Sequence, residues 1–250
     1  MSYNVFVGYD NRQITAYNVC EHSLVRRASE PVEVVPLLQA SLRYSGLYSR
    51  PYKVDAAGQF WDEMTNTAFS TEFSFTRFLT GEIAKKNDIN GWVLFCDNDF
   101  LFREDVIKLF SLAQEKYAVM CVKHQWSGLE GKKMDGKLQE FYPRKLWSSL
   151  FLWNVRHPGN ARLMVEDVNT RTGKWLHAFS WLKESEVGEL PHSWNYIPGF
   201  SLEQDGLANA VHFSYGMPDL PMYANCEYAQ EWRKELAHLR AATEKRKISL

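Results

Sequence analysis

Two carboxylates, Asp97 and Asp99, flank Asn98 at the end of an unbroken apolar run, in the stretch Gly91 to Phe102 that reads GWVLFCDNDFLF. In an extended segment residues i and i+2 point the same way, ~6–7 Å apart at their Cα atoms, so one cation can gather both carboxylates. Hard oxygen ligands suit Mg2+ or Mn2+, and those ions in turn suit phosphate oxygens. The pair also fits a plainer role, because acidic residues commonly end a strand and cap the next helix, here one beginning near Glu104. Context must separate the two.

The elements that would position these acids can be read around them. Trp92 to Cys96 are five apolar residues in a row, the pattern of a strand buried on both faces. Such a strand in an open α/β sheet delivers its last residues to the carboxyl edge, where ligands bind. Tyr3 to Gly8 predicts a first strand ending in Tyr9, Asp10, Asn11 and Arg12, and Ile14 to Arg27 predicts a helix. No Gly-rich dinucleotide fingerprint or P-loop follows that strand, so phosphates would need another device, and a metal is the obvious one.

Val32 to Leu38 supplies a second strand, with Pro36 marking an edge. The aromatic and polar residues from Gln39 to Ala68 predict a long surface excursion, and loops of that length are usually lids or binding loops. Thr71 to Lys86 reads as a helix with Arg77 projecting from its first half, and Glu104 to Leu112 as a short helix. Tyr117 to Val122 reads as a buried strand tipped by Lys123, His124 and Gln125. Gly128, Gly131 and Gly136 suggest a turn or loop. Leu146 to Val155 predicts a strand opening on Ser148 and Ser149; Pro158 to Val168 and Arg171 to Leu182 predict helices. Pro191 to Phe200 is loop-like, Leu207 to Phe213 is a last strand carrying His212, and Asn225 to Lys247 is an amphipathic helix. The alternation predicts an α/β fold with a mostly parallel sheet flanked by helices.

Bulk composition excludes several classes. With 29 Lys and Arg against 30 Asp and Glu in 250 residues, nothing argues for nucleic acid as a partner. Four separated cysteines without a C-x-x-C pair fit reduced thiols in a cytoplasmic protein. No signal peptide is expected, no apolar run reaches the ~18–20 residues of a spanning helix, and any membrane contact would be peripheral. The basic end Lys245, Arg246 and Lys247 reads better as a solvated helix end than as a membrane contact.

The order of a strand with a Y-D-N-R turn, a helix with Tyr17, S-F-T-R-F-L, L-F-C-D-N-D-F-L-F and a late H-F-x-x-G-x-P resembles the metal-dependent glycosyltransferases of the GT-A fold, most nearly those of glycosyltransferase family 8. The resemblance spans roughly residues 3 to 220. It implies a nucleotide-sugar donor, a UDP-sugar first of all, with its diphosphate bound through Mn2+ or Mg2+ on Asp97, Asp99 and His212. It further implies that Asp10 reads the base edge within a donor-side turn of Tyr9, Asp10, Asn11 and Arg12, that Tyr17 or its rival Tyr9 stacks on the base, and that Arg77 approaches the sugar or diphosphate. Asn98 and Gly216 belong to the same matched segments. Tyr17, Tyr9, Arg77 and His212 each also fit ordinary structural roles.

The chain departs from the family pattern in three places. Ser148 and Ser149 stand where an Asn-Ala-Gly turn usually lines the sugar site. The acid–Gln pair near Lys174 is missing, with Glu184 and Glu186 displaced. The lysine of the last motif is absent, with Lys123 or an arginine as substitute. An inverting enzyme would need a base, for which Glu184 or Glu186 are candidates, whereas the family likeness leans to retention. One domain over residues 1–250 is expected: a nucleotide-binding half (1–125), an acceptor-side half (126–224) and a C-terminal helix (225–250). The acceptor could be a glycan, a lipid-linked sugar or a protein. Two rivals remain open: a metal-dependent nucleotidyltransferase or phosphohydrolase, and a non-catalytic carbohydrate-binding module.

Overall fold

The computed structural model describes residues 3–125, 144–202 and 207–248. Its centre is a six-stranded sheet built from β1 (Tyr3–Gly8), β2 (Val32–Leu37), β6 (Trp92–Cys96), β8 (Val119–Cys121), β9 (Leu150–Asn154) and β10 (Val187–Glu189), in the order β10-β8-β9-β6-β1-β2. Pairs β1–β2, β1–β6 and β8–β10 are parallel, and only β9 runs against its neighbours. The mostly parallel sheet expected from the alternation is therefore present. Pro36 lies on the edge strand β2, where its missing N–H breaks no ladder.

The unbroken apolar run of β6 is explained by burial on both faces. Val93 and Phe95 enter one core with Phe78, Leu79 and Leu176, while Leu94 and Cys96 enter another with Tyr17, Leu24 and Leu109. Helices α1 (Ile14–Arg27) and α4 (Val106–Phe110) cover the second face. Helices α3 (Thr80–Lys86), α5 (Val165–Thr170) and α6 (Gly173–His177) cover the first. The last helix, α7 (Ala229–Ile248), packs on α1 through Trp232, beside Ala16 and Val19. Among the described residues no helix is long and apolar enough to cross a membrane.

Several expectations are corrected. The stretch Gln39–Ala68 is not an irregular excursion: it holds α2 (Gln39–Tyr44) and an antiparallel sheet of β3 (Tyr52–Val54), β4 (Phe60–Asp62) and β5 (Thr67–Phe69). Strands of three residues give too little alternation to read. What pins them is the buried Arg50–Asp62 pair at 2.7 Å and the stacked rings of Phe60 and Phe69. Thr71–Lys86 is a turn, a 3-10 stretch at Thr76–Leu79 and then α3, so Arg77 is buried rather than projecting. The helices expected over 158–168 and 171–182 shrink to a 3-10 turn at Pro158–Arg162 followed by α5 and α6. Strand β7 (Phe100–Phe102), with its partner β11 (Ala210–His212), and strand β10 were not anticipated. The Gly128 to Lys137 loop and the side chains of Lys245, Arg246 and Lys247 lie outside the described residues.

Candidate functional site

Asp97, Asn98 and Asp99 form the turn between β6 and β7, at the carboxyl edge of the parallel strands. Because β7 pairs antiparallel with β11, Phe100 stands opposite His212, and the Phe213 N–H donates to the Asp99 carbonyl at 3.0 Å. The His212 ring stacks on Phe100, 4.5 Å between centroids, and its Nε2 lies 3.3 Å from Asp99 Oδ1. Asp97, Asp99 and His212 each offer one ligand atom within 4.8 Å of the other two. Residues 113 positions apart in sequence thus meet because a three-residue strand turns back beside the acids.

The reversed direction of β9 supplies the second half of the site. Its start lies beside the end of β6, Leu150 opposite Cys96, so the 3-10 turn Trp147–Ser149 is brought against the acidic turn. The Asp97 N–H donates to the Ser149 carbonyl at 2.8 Å. Arg77 bridges the two elements: its Nη1 is 2.7 Å from Asp97 Oδ1 and donates to the Ser148 carbonyl at 2.7 Å. Phe73 and Phe95 lie against the guanidinium, at 5.3 and 5.2 Å. Gly8 admits Phe73 to this place, because a Cβ there would sit 2.5 Å from the ring.

A cleft of about 110 Å3 opens here, lined by Arg77, Asp97, Ser148, Ser149 and His212 together with Thr67–Ser70, Lys145, Lys174 and His177. The Ser148 hydroxyl is 2.6 Å from His177 Nδ1. Lys145, Lys174 and His177 belong to no motif in the sequence, and sequence reasoning missed them. Only the reversal of β9 and the placing of α6 bring them to the acids.

Other expected site residues stand elsewhere. Asp10 is fully buried and accepts from the Arg12 side chain at 2.9 and 2.6 Å, from the Arg12 N–H at 2.9 Å and from the Glu72 N–H at 3.1 Å. Burial alone would raise its pKa, but these bonds hold it below the usual range. Both oxygens are saturated within the chain. Arg12 also donates to the Ser70 carbonyl and covers Phe60, while Asn11 is exposed and reaches Glu72. Tyr17 is a core residue whose phenol pKa burial pushes up, and Tyr9 packs on its edge with part of its surface open.

Lys123 pairs with Glu184 at 3.3 Å and lies over Trp147. Glu184 also pairs with Arg144, and Glu186 pairs with Arg162 while accepting from the Lys183 N–H at 2.7 Å. None of these three lines the cleft, and neither does Gly216, in the turn after Phe213. Asn98 is buried, and neither its Oδ1 nor its Nδ2 has a hydrogen-bond partner.

No family model matches the chain. Protein CDI of Arabidopsis thaliana is 43% identical to it over 238 residues, covering 94% of this chain and 86% of that protein. The chain belongs to the Protein CDI family. This CDI-family fold is similar to that of solved glycosyltransferases at 13% identity, a level that speaks for the fold alone. The galactosyltransferase LgtC, solved with donor and acceptor sugar analogues, superposes with a TM-score of 0.53 over 94% of this chain and 95% of LgtC. The apo glycosyltransferase GlyE of Streptococcus pneumoniae gives 0.57 over 98% of this chain and 64% of GlyE. The bifunctional glycosyltransferase WbbM gives 0.57 over 94%, and the CDI-family chain spans about half of that protein, 51%. The architecture of this CDI-family member is of the GT-A type.

Proposed function

We propose that the protein transfers a sugar from a nucleotide-sugar donor, a UDP-sugar first of all, to a hydroxyl of a glycan, lipid-linked or protein acceptor, with a divalent cation held by Asp97, Asp99 and His212. The observation that carries this reading is the meeting of those three side chains, each with a ligand atom within 4.8 Å of the others, on the wall of a cleft rich in cations. The donor set fits the ion: two carboxylates suit Mg2+ and Mn2+ alike, and the imidazole tilts the choice towards Mn2+. The likeness of the Y-D-N-R, S-F-T-R-F-L and H-F-x-x-G-x-P segments to glycosyltransferase family 8 supports the same assignment.

A bound cation supplies Lewis acidity for the charge that accumulates on the departing nucleoside diphosphate. Arg77 fixes the Asp97 carboxylate, and Lys145 and Lys174 put positive charge along the cleft where a diphosphate would lie. A course with retention needs no general base, and the ion pairs of Glu184 and Glu186 favour it over inversion. We read residues 1–125 as the donor half, 126–224 as the acceptor side and α7 as a brace. The free thiols of Cys20, Cys96, Cys121 and Cys226 suit a reducing compartment such as the cytoplasm.

The test is to incubate the protein with a panel of nucleotide sugars and Mn2+ and to follow the release of free nucleoside diphosphate. Turnover with at least one donor is expected, with a loss on the order of 10²–10³-fold in the Asp97→Ala/Asp99→Ala double variant. Turnover unchanged in that variant would overturn the reading, and release of pyrophosphate or inorganic phosphate instead would point to a nucleotidyltransferase or phosphohydrolase.

A further inference from the structure

We propose that Asn195 is the positioning residue that presents His212 Nε2 to the cation, through a hydrogen-bond chain that begins at the backbone of Leu146. This inference rests on the metal site proposed above.

Leu146 lines the cleft and has a left-handed backbone, φ 73°, a conformation that costs a non-glycine residue on the order of 1–3 kcal/mol and collects at functional sites. Its carbonyl accepts from the Ser149 hydroxyl at 2.7 Å. With its proton engaged there, the Ser149 oxygen can only accept, and Asn195 Nδ2 donates to it at 2.9 Å. That fixes the amide: Oδ1 of Asn195 faces His212 Nδ1 at 2.9 Å and must accept the ring proton. Nε2 of the neutral imidazole is then left with its lone pair directed at Asp99 Oδ1, 3.3 Å away. Two acceptors at that distance repel each other unless a cation or an extra proton lies between them, and 3.3 Å is longer than the ~2.7–2.9 Å of a charge-assisted hydrogen bond.

Turning the amide over would set Asn195 Oδ1 against a serine oxygen whose proton is already given to Leu146, opposing two acceptors in a site where Asn195 is fully buried. His124 also bonds to Asn195. Burial, with His192 and His212 nearby, holds the His124 imidazole neutral, down to about 3, so it brings no charge that would reverse the arrangement. The fold builds the chain deliberately: the His212 N–H donates to the Tyr196 carbonyl at 2.7 Å, which locks the segment carrying Asn195 beside β11. A ligating histidine whose second nitrogen donates to a fixed acceptor is held in one tautomer and one orientation, and removing such a partner typically lowers metal affinity ~10–100-fold.

The experiment uses the whole chain and two readouts. In metal-free protein at pH 8, two-bond 1H–15N correlation of the histidine rings is expected to show His212 protonated on Nδ1, and Asn195→Leu should shift it to the Nε2 form or a mixture. Titration with Mn2+ alone, followed by the paramagnetic resonance of the free ion, should show binding ~10–100-fold weaker in Asn195→Leu. Ser149→Ala, which leaves Asn195 in place, should move both readouts in the same direction by less. A folded Asn195→Leu protein with the wild-type tautomer and Mn2+ affinity overturns the inference and leaves the metal site standing. If Asn195→Leu does not fold, unchanged readouts in Ser149→Ala overturn it. Wild-type protein that binds Mn2+ no better than Asp97→Ala/Asp99→Ala overturns the metal site itself.

Discussion

At the scale of single residues, Asn98 separates ligand binding from folding. Its amide is buried without a hydrogen-bond partner, a state that costs ~1–3 kcal/mol relative to a paired group, and it sits between the two acids. Asn98→Ala removes the orphaned group, so a melting temperature equal to or above wild type is expected by thermal denaturation. If the amide finds its partner in a bound donor, the same variant raises the donor KM about tenfold, the worth of one hydrogen bond. A lower melting temperature with an unchanged KM would assign Asn98 to the fold alone. The acids themselves were legible because two neighbours at i and i+2 carry their geometry in the sequence. Asn195 was not, since its partners Ser149 and His212 are 46 and 17 positions away and no pattern links them.

At the scale of elements, the joint between α1 and α7 is set by one acid. Glu235, almost fully buried, accepts from Arg26 at 2.9 and 2.7 Å and from Arg27 at 2.9 Å, and lies 2.6 Å from His22 Nδ1. Burial alone would raise its pKa, but the bonds from Arg26, Arg27 and His22 overcome that and bring it down to about 2. A carboxylate whose folded pKa is depressed contributes stability in full above its unfolded value and loses it as pH falls. For Glu235 the window runs from the ordinary 4.5 down to about 2, and the contribution is on the order of 3 kcal/mol. Glu235→Gln should therefore melt lower at pH 7 and show a flatter decline of stability between these two values than wild type. Identical acid profiles for both proteins would show that the joint is held by Trp232 and its apolar neighbours. The same scale explains what could be read of the fold. Strands β1, β2 and β6, helix α1 and the C-terminal helix were legible because each is long enough to show its period. The reversed β9 and the three-residue β3, β4, β5, β7 and β11 were not, because their direction and pairing are decided by contacts distant in the chain.

At the scale of the whole molecule, charge is distributed in a way the total conceals. The chain carries a formal net charge of −1, yet Arg77, Lys145 and Lys174 face one cleft. An anionic donor would be drawn to that local field rather than to the protein as a whole, and fields between groups a few ångströms apart through solvent weaken as salt shortens the screening length from ~10 Å at 0.1 M to ~3 Å at 1 M. Over that range the donor KM is expected to rise several-fold with kcat little changed, since the salt acts on encounter and binding. In Lys145→Ala/Lys174→Ala the KM at low salt should already be ~10–100-fold higher, the worth of losing hydrogen bonds to a charged group, and its dependence on salt should be shallower. Steady-state kinetics at both salt concentrations decide the matter. A wild-type KM indifferent to salt, or a double variant with an unchanged slope, would mean that the two lysines serve the cleft's structure and that the donor is held by the acidic turn and Arg77 alone.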